Sequence, residues 1–285
     1  IKRKINKIIG LDMQIYDYYQ NLITQEENKE KHPDYEKRKQ NVSSLILELL
    51  QKEQEEYSFF IANPTIALST YTELARQFIN KNYYNLVYDE IAKFINSMSK
   101  NNINILDLGS GEGTHMHKIL ERVNKNWNLI SIDYSRDAIN LATDYTENNI
   151  CIIGDINNLP LIDKSIDVVV DFLSPFNNEE VKRVLKDNGI IIKITPGNKY
   201  LNELRHVLKF EDYTKKEEIK LNFMKYFDII NEKEISKKYS ITEEDTNNLL
   251  MMSPLKKQFK NQKIHIDEIT IDNVIYVGVC KNEKE

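Results

Sequence analysis

The segment from Ile103 to Thr114 constrains the fold of this chain more than any other stretch. It reads as a short apolar strand, a turn and the start of a helix, and the turn holds three of the chain's eight glycines, Gly109, Gly111 and Gly113. Glycine lets the backbone turn sharply and approach a ligand, and the N–H groups at the start of the helix face whatever lies over the turn. The dinucleotide fingerprint Gly-x-Gly-x-x-Gly would place its third glycine at Thr114. The turn therefore predicts a nucleoside ligand but departs from the NAD-binding pattern.

The part of the chain after Asn101 alternates between apolar runs and segments with helical spacing. Five strand-like runs are predicted, at Ile103–Leu108, Asn128–Asp133, Ile150–Gly154, Ile166–Phe172 and Gly189–Thr195. Helices are predicted over residues 114–124, 136–147 and 178–186. This alternation predicts an α/β fold with a parallel sheet covered on both faces. Ligands of such a sheet bind beyond the carboxyl ends of its strands.

The regions on either side of this alternation have a different pattern. Residues 1–100 are predicted to form a helical N-terminal cap, and residues 198–257 a helical insertion on the substrate side of the 101–197 core. Residues 258–285 are predicted to return to the core as two strands, Lys263–Ile271 and Val274–Cys280. Asp272-Asn273 is predicted to be the turn of this antiparallel hairpin.

Composition narrows the class of protein. The 285 residues are 41% hydrophobic and 29% charged, which is typical of a globular protein. No apolar run approaches the roughly 18–20 residues of a membrane span, and no signal-peptide pattern is recognised, so a cytoplasmic protein is expected. The two cysteines lie in apolar runs, which predicts buried thiols and no metal site. The net charge of −5 argues against a large nucleic-acid footprint, although it leaves a local basic patch open.

Two acidic residues on the first two strands are predicted to lie beside the nucleoside. Asp133 ends the second strand 22 residues after Gly111, where a carboxylate can accept hydrogen bonds from both ribose hydroxyls. The alternative for Asp133 is a helix N-cap or a surface acid. Asp107 either accepts backbone N–H groups of the turn or lies near an amino group of the ligand.

The segment Leu106–Gly113 resembles the first motif of the class I methyltransferases that depend on S-adenosylmethionine (SAM). The resemblance implies SAM as cofactor, S-adenosylhomocysteine as product, and a Rossmann-like α/β sandwich whose sheet ends in an antiparallel hairpin. It also implies that an acid after the third strand, Asp155, receives the adenine amino group and that Ile156 packs on the ring. The full expected cofactor set is Asp107, Gly109, Ser110, Gly111, Gly113, Asp133, Tyr134, Asp155, Ile156 and Asp171.

The fourth strand ends at Asp171-Phe172, beyond which the acceptor and the methyl group meet in this family. Amino-group methyltransferases of nucleic acid carry Asn/Asp/Ser-Pro-Pro-Tyr/Phe there, whereas this chain has Leu173 and Ser174 before Pro175. The difference argues against an exocyclic amine as acceptor. Asp171 is the catalytic candidate, for orienting or deprotonating the acceptor, with structural packing as the alternative. Methyl transfer mainly requires alignment of nucleophile, methyl and sulfur, so no strong acid–base group is expected.

Three patches outside the turn resemble the bacterial large-subunit rRNA guanine-N1 methyltransferases. They are Ala75–Phe78 with Tyr83–Leu86, Thr195–Arg205 and Leu249–Pro254. The family has Ala-Arg-Arg-x-Phe-Leu, Thr-Pro-Gly-x-x-His-Leu-x-Glu-Leu-Lys and Leu-Leu-x-Met-Thr-Pro at these places. With the loop after the fourth strand, the resemblance implies that the substrate is contacted by Arg76, Tyr83, Tyr84, Pro175 and Arg205. The family also begins with a four-cysteine zinc ribbon, and residues 1–69 here contain no cysteine.

Three functions stay open from the sequence. N-methylation of a guanine ring nitrogen in rRNA predicts a basic groove, built from Arg76, Arg205, Lys209, Lys256 and Lys257. N-methylation of a small molecule or peptide natural product predicts an enclosed aromatic pocket, built from Tyr16, Tyr19, Phe59, Tyr71 and Tyr83. The third function is SAM binding without catalysis. No membrane or metal partner is expected, and the protein is expected to be a monomer or a homodimer.

Overall fold

The computed structural model describes residues 68–145, 149–252 and 264–281. The predictions for residues 1–67, Lys256 and Lys257 therefore lie outside the described residues. Within the described ranges, no helix is long and apolar enough to cross a membrane. The same ranges hold no group of three or more His, Cys, Asp or Glu side chains that could bind a metal ion.

The described residues form eight helices and seven strands. The helices are α1 (Leu68–Ile79), α2 (Asn85–Ser97), α3 (Thr114–Leu120), α4 (Arg136–Ala142), α5 (Asn178–Val184), α6 (Asn202–Val207), α7 (Lys216–Tyr226) and α8 (Glu243–Met252). The strands are β1 (Asn102–Leu108), β2 (Asn126–Asp133), β3 (Asn149–Ile153), β4 (Ile166–Phe172), β5 (Leu185–Pro196), β6 (Phe227–Ser240) and β7 (Glu268–Cys280).

All seven strands belong to one sheet, in the order β3-β2-β1-β4-β5-β7-β6. The first five strands of the sheet pair in parallel, and β7 lies between β5 and β6, antiparallel to both. The predicted α/β fold with a parallel core is confirmed. Because the carboxyl ends of parallel strands meet at one edge, the residues that follow β1 to β4 come together there.

The predicted turn at Asp272-Asn273 is wrong. Glu268–Cys280 is one continuous strand, in which Asp272 pairs with Ser236 of β6 and Asn273 with Ile235. β7 is therefore one strand that pairs antiparallel with both β5 and β6, and β6 lies inside the stretch predicted to be helical. Asp272 and Asn273 are buried and continue the ladder, whereas β6 is an edge strand whose mostly exposed side chains lack the apolar alternation of a strand.

Helices pack on both faces of the sheet. On one face, Ile91 of α2 and Met116 of α3 join the cluster formed by β1 and β4; on the other, Val181 of α5 and Phe223 of α7 join a second cluster. All seven residues of β4 are buried, including Asp167 and Asp171, which flank its apolar centre. Since fully burying a large apolar side chain contributes ~1.5–3 kcal/mol, this core fixes the strands whose ends carry the site.

Candidate functional site

The glycine turn between β1 and α3 leaves open space at its centre. The turn glycines have positive φ, with +69° at Gly109 and +55° at Gly111, where a side chain is strained. A Cβ atom on Gly109 would lie 2.0 Å from Ser174 Oγ, whereas one on Gly111 would meet no atom within 4 Å. The N–H groups of Gly109 and Ser110 donate to the Ile132 carbonyl at 2.9 and 3.0 Å and so tie the turn to β2. The space over Gly111 is therefore where a ligand fits.

Asp133, at the end of β2, is bonded directly to this turn. Its Oδ2 accepts the Gly111 N–H at 2.8 Å, and its Oδ1 accepts the Ser135 N–H at 2.8 Å. Burial raises the pKa of Asp133, while hydrogen bonds from the backbone of Ser135, Gly111 and Tyr134 oppose the rise. The carboxylate lies beside the open space, at the position from which ribose binding is predicted.

Asp107, near the end of β1, carries a buried carboxylate oxygen that has no hydrogen-bond partner among the described residues, its Oδ2. Burial raises the pKa of Asp107 well above its ordinary value, and the neighbouring Asp133 and Asp171 raise it further. A buried acid without a partner is costly unless a donor or a cation satisfies it. The position therefore suits a positively charged ligand group.

Asp155 follows β3 in a short loop. Its Oδ1 accepts the backbone N–H of Asn157 at 2.8 Å and the side-chain Nδ2 of the same residue at 3.0 Å. Ile156 packs against the cluster on the α5 face of the sheet. Asp107, Asp133 and Asp155 thus lie near the ends of three neighbouring strands, and their contacts to a nucleoside stay a prediction.

Asp171, near the end of β4, is fully buried in an ion pair. Its Oδ1 lies 2.9 Å from Lys193 Nζ and accepts the Ser174 N–H at 3.2 Å. Burial raises the pKa of Asp171 to about 6, against the opposing effect of Lys193. Lys193 also donates to the Ser174 carbonyl, so the pair holds the loop after β4. This geometry favours the packing interpretation of Asp171 over a role in acceptor chemistry.

Glu112 is a buried acid within the turn that the sequence reasoning missed. Its side chain is 4% exposed, and its Oε2 accepts hydrogen bonds from Arg76 Nε at 3.3 Å and from Thr114 Oγ1 at 2.5 Å. Burial raises the pKa of Glu112, and the hydrogen bonds from Thr114 and Arg76 oppose the rise. Arg76 was predicted to contact the substrate, and its guanidinium is engaged here instead. The signal available in the sequence was an acid placed between two glycines of a ligand-binding turn.

The other predicted substrate residues are spread over the molecule. Tyr83 is buried and donates its hydroxyl to Asp245 of α8 at 3.0 Å. Arg205 Nε donates to the Glu211 carbonyl at 2.8 Å. Pro175 is exposed in the loop after β4. Pro175 follows Ser174, whose Oγ lies beside Gly109, and the buried Tyr84 contacts His115, two residues after Gly113.

An aromatic cluster lies where α2, α3 and the end of β4 meet, and we call it the aromatic wall: Tyr84, Tyr88, His115, Phe172 and Tyr200. The His115 ring stacks on Phe172 with centroids 3.9 Å apart, and Tyr84 meets both rings edge-on. The Tyr84 and Tyr200 hydroxyls are 2.7 Å apart, as are the Tyr88 hydroxyl and His115 Nδ1. Burial lowers the pKa of His115 to about 3, so the ring is neutral at physiological pH. Of this group the sequence reasoning found only Tyr84; the i, i+4 spacing of Tyr84 and Tyr88 was the available signal.

Comparisons with known proteins find similar sequences and a similar fold. A family profile described as a methyltransferase domain matches residues 99–240. YxjB of Bacillus subtilis (strain 168), named as a candidate 23S rRNA (guanine-N(1)-)-methyltransferase, is 32% identical over 130 residues, which cover 44% of this chain and 46% of YxjB. The 23S rRNA (guanine(748)-N(1))-methyltransferase of Streptomyces fradiae is 28% identical over 101 residues, which cover 35% of this chain and 36% of that protein. The matches thus span less than half the length of these two curated relatives.

One solved structure shows the same fold. It is a chain in the Haloferax volcanii complex between the Trm112 methyltransferase activator and a methyltransferase, with a TM-score of 0.50 and 16% identity. The similarity covers 74% of this chain and 96% of that chain.

Proposed function

This chain belongs to the class I SAM-dependent methyltransferases, and on that premise we propose that it transfers a methyl group from SAM to a ring nitrogen of guanine in rRNA. The observation that carries the proposal is the aromatic wall beside the glycine turn. Its His115–Phe172 stack lies at the carboxyl end of β4, where acceptor and methyl group meet in this fold. Exposed bases of RNA are commonly held by stacking on aromatic side chains. The names of the two relatives narrow the base to guanine.

The acidic residues of the site fit SAM. SAM carries a sulfonium and an ammonium group, and the buried Oδ2 of Asp107 offers a negative partner to a cation. Asp133 fixes the turn and faces the space over Gly111, where the ribose would lie. When bound, SAM supplies a methyl group that is already electrophilic. The chain's own residues therefore have to hold the cofactor and align the acceptor with it.

The aromatic wall would orient the acceptor. The base would lie against the partly exposed members of the wall, His115 and Tyr200, while the buried Phe172 and Tyr84 would hold those two rings in place. SAM would supply the methyl group to the ring nitrogen and leave as S-adenosylhomocysteine, and the proton of the ring N–H would pass to solvent. In this account the neutral His115 contributes orientation rather than charge.

A second candidate is N-methylation of a small molecule or peptide, and the placement of the arginines favours it. Arg76 is held by Glu112, and Arg205 by the Glu211 carbonyl, so two members of the predicted basic groove have partners within the chain. Phosphate contacts dominate RNA affinity. An acceptor without a phosphate backbone would not need that groove.

Transfer of a tritiated methyl group tests both candidates. The protein is incubated with labelled SAM and either total rRNA or a small-molecule extract. We expect label in large-subunit rRNA. The methylated guanine should block reverse transcription, because methylation at N1 removes a Watson–Crick hydrogen-bond donor. Label confined to the small-molecule fraction would remove the rRNA proposal and support the second candidate.

A Phe172→Leu variant tests the role of the aromatic wall. It keeps an apolar side chain but removes the stacking face, and base stacking contributes ~1–3 kcal/mol, so methyl transfer should fall about tenfold. SAM affinity measured by calorimetry should stay within about twofold, since leucine keeps the apolar packing and the hydrogen bond between Asp133 and the glycine turn is unchanged. Full transfer activity in this variant would contradict a stacking role for the wall.

A further inference from the structure

Arg76 lies outside the matched methyltransferase domain and yet contacts its cofactor turn. It is in the last turn of α1, which precedes residues 99–240. Its Nε donates to Glu112 Oε2 at 3.3 Å, and its Nη2 donates to the Leu141 carbonyl at 2.7 Å, at the end of α4. One guanidinium thus joins α1, the glycine turn and α4.

Glu112 depends on this contact. Its side chain is 4% exposed and lies between Gly111 and Gly113, the two glycines that flank the open part of the turn. Its carboxylate also accepts the hydroxyls of Thr114 and Tyr145, at 2.5 and 3.5 Å, and a backbone hydrogen bond from Thr114. A buried carboxylate needs a cation or several donors, and Arg76 is the cation that the described residues supply.

The surroundings hold the guanidinium in place. Its carbon lies 4.8 Å from the centre of the Tyr145 ring, and its Nη1 lies 3.6 Å from Asp144 Oδ2. The planar guanidinium of Arg76 donates in two directions, to Glu112 on one side and to the Leu141 carbonyl on the other. A lysine ammonium cannot reproduce this geometry. α1 itself packs against α8 and α4.

We propose that Arg76 is a positioning residue for the SAM-binding turn, and that the placement of α1 and the binding of SAM are thermodynamically coupled through the Arg76–Glu112 pair. Removing the cation leaves a buried charge beside Gly111, which displaces the turn from its SAM-binding conformation. By reciprocity, SAM then stabilises α1, although α1 need not touch the cofactor. The inference rests on SAM binding and is independent of the acceptor.

Calorimetry with SAM tests the coupling in three variants. Arg76→Gln should raise the Kd for SAM about five- to tenfold, within the range of typical coupling energies. The double variant R76Q/E112Q should recover much of the affinity, because the unpaired charge is gone. Arg122→Gln is the matched control: Arg122 also bridges two helices, through Asp89 and the Lys118 carbonyl, but lies beyond the far end of α3 from the turn. Its Kd should stay within about twofold of the wild-type value.

Hydrogen exchange in the wild-type protein gives a readout that needs no substitution. SAM should slow amide exchange over α1, and the protection should disappear in Arg76→Gln. An unchanged Kd for SAM in Arg76→Gln, or an equal loss of SAM affinity in Arg122→Gln, would overturn the proposal. So would amide exchange over α1 that is the same with and without SAM. Because these measurements use SAM alone, they separate this inference from the rRNA proposal.

Discussion

The acidic residues around the glycine turn differ in their partners. Asp133 is held by backbone N–H groups and Asp171 Oδ1 by Lys193, while the Oδ2 atoms of Asp107 and Asp171 are both buried without a hydrogen-bond partner among the described residues. A satisfied buried acid stabilises local structure, whereas an unsatisfied one is kept for a ligand. The ion pair with Lys193 favours a scaffold role for Asp171, and cofactor binding by Asp107 stays a prediction.

Asp133→Ala tests the assignment of the turn. The substitution removes the acceptor of the Gly111 N–H and the proposed ribose partner, so SAM binding should weaken by about 1–3 kcal/mol. The control is Asp187→Ala, which removes an exposed acid paired with Lys164 on the surface. Calorimetry that gives the same SAM affinity for Asp133→Ala and the wild type would refute the ribose assignment.

The Asp171–Lys193 pair predicts a pH dependence of stability. Burial raises the pKa of Asp171 to about 6, so between its unfolded pKa near 3.8 and about 6 the folded state binds more protons than the unfolded state. The resulting stability is fully present below the unfolded pKa and is lost as the pH rises through about 6. Relative to Asp171→Asn, the wild-type free energy of unfolding should therefore increase as the pH falls from 7 to 4. Denaturant titrations of both proteins at several pH values measure this difference in the free energy of unfolding. A difference that does not vary with pH would refute the predicted role of Asp171.

The limit of residue-level prediction is visible at Arg76. The sequence marks it as a charged residue in a patch resembling RNA enzymes, while its partner Glu112 stands 36 residues away. Asp133 could be found because its role depends on a fixed spacing from the glycines. The Arg76–Glu112 pair depends on how α1 packs, which no spacing in the sequence reports.

At the scale of elements, burial decided which strands could be predicted. β4 is buried at all seven positions and β1 at five of seven, because helices cover both faces, and both strands are rich in Ile, Leu and Val. β6 borders solvent along the sheet edge and carries charged residues, so its pattern was taken for a helix. β7 was predicted as two strands because Asp and Asn are common in turns. In the structure, Asp272 and Asn273 are both buried within the ladder.

The start of α5 offers a test of local helix chemistry. Asn177 is its N-cap, and the side-chain Oδ1 accepts the N–H groups of Glu179 at 2.9 Å and Glu180 at 3.2 Å. Asn177→Ala should lower the free energy of unfolding by about 0.5–2 kcal/mol. Asn140→Ala, at an exposed position inside α4, should leave stability equal or slightly higher, since alanine favours helix. Equal effects of the two substitutions in urea titrations would contradict the capping role.

At the scale of the whole molecule, cofactor binding and folding are linked. The proposed SAM site draws on residues near the ends of β1, β2 and β3, so it forms only when the parallel sheet is assembled. SAM at about one hundred times its Kd should therefore stabilise the folded protein by ~2.7 kcal/mol, which corresponds to roughly 5–10 °C in Tm. Thermal melts with and without SAM measure the shift, and Asp133→Ala at the same SAM concentration should show a smaller one. A Tm that does not respond to SAM in the wild type would contradict the site.

The position of β7 between β5 and β6 has a consequence for synthesis on the ribosome. Both neighbours precede β7 in the chain, and the residues between Ser240 and Glu268 must be made before β7 can pair with either. During that interval β5 and β6 emerge with open hydrogen-bonding edges, which are the features that other chains can capture. Asp272 of β7 also receives the Lys199 N–H at 2.7 Å, so the loop after β5 takes its final form only then. The nascent chain therefore passes through a period in which most of its sheet exists but its central antiparallel strand does not, and chaperones that shield strand edges would act during this period.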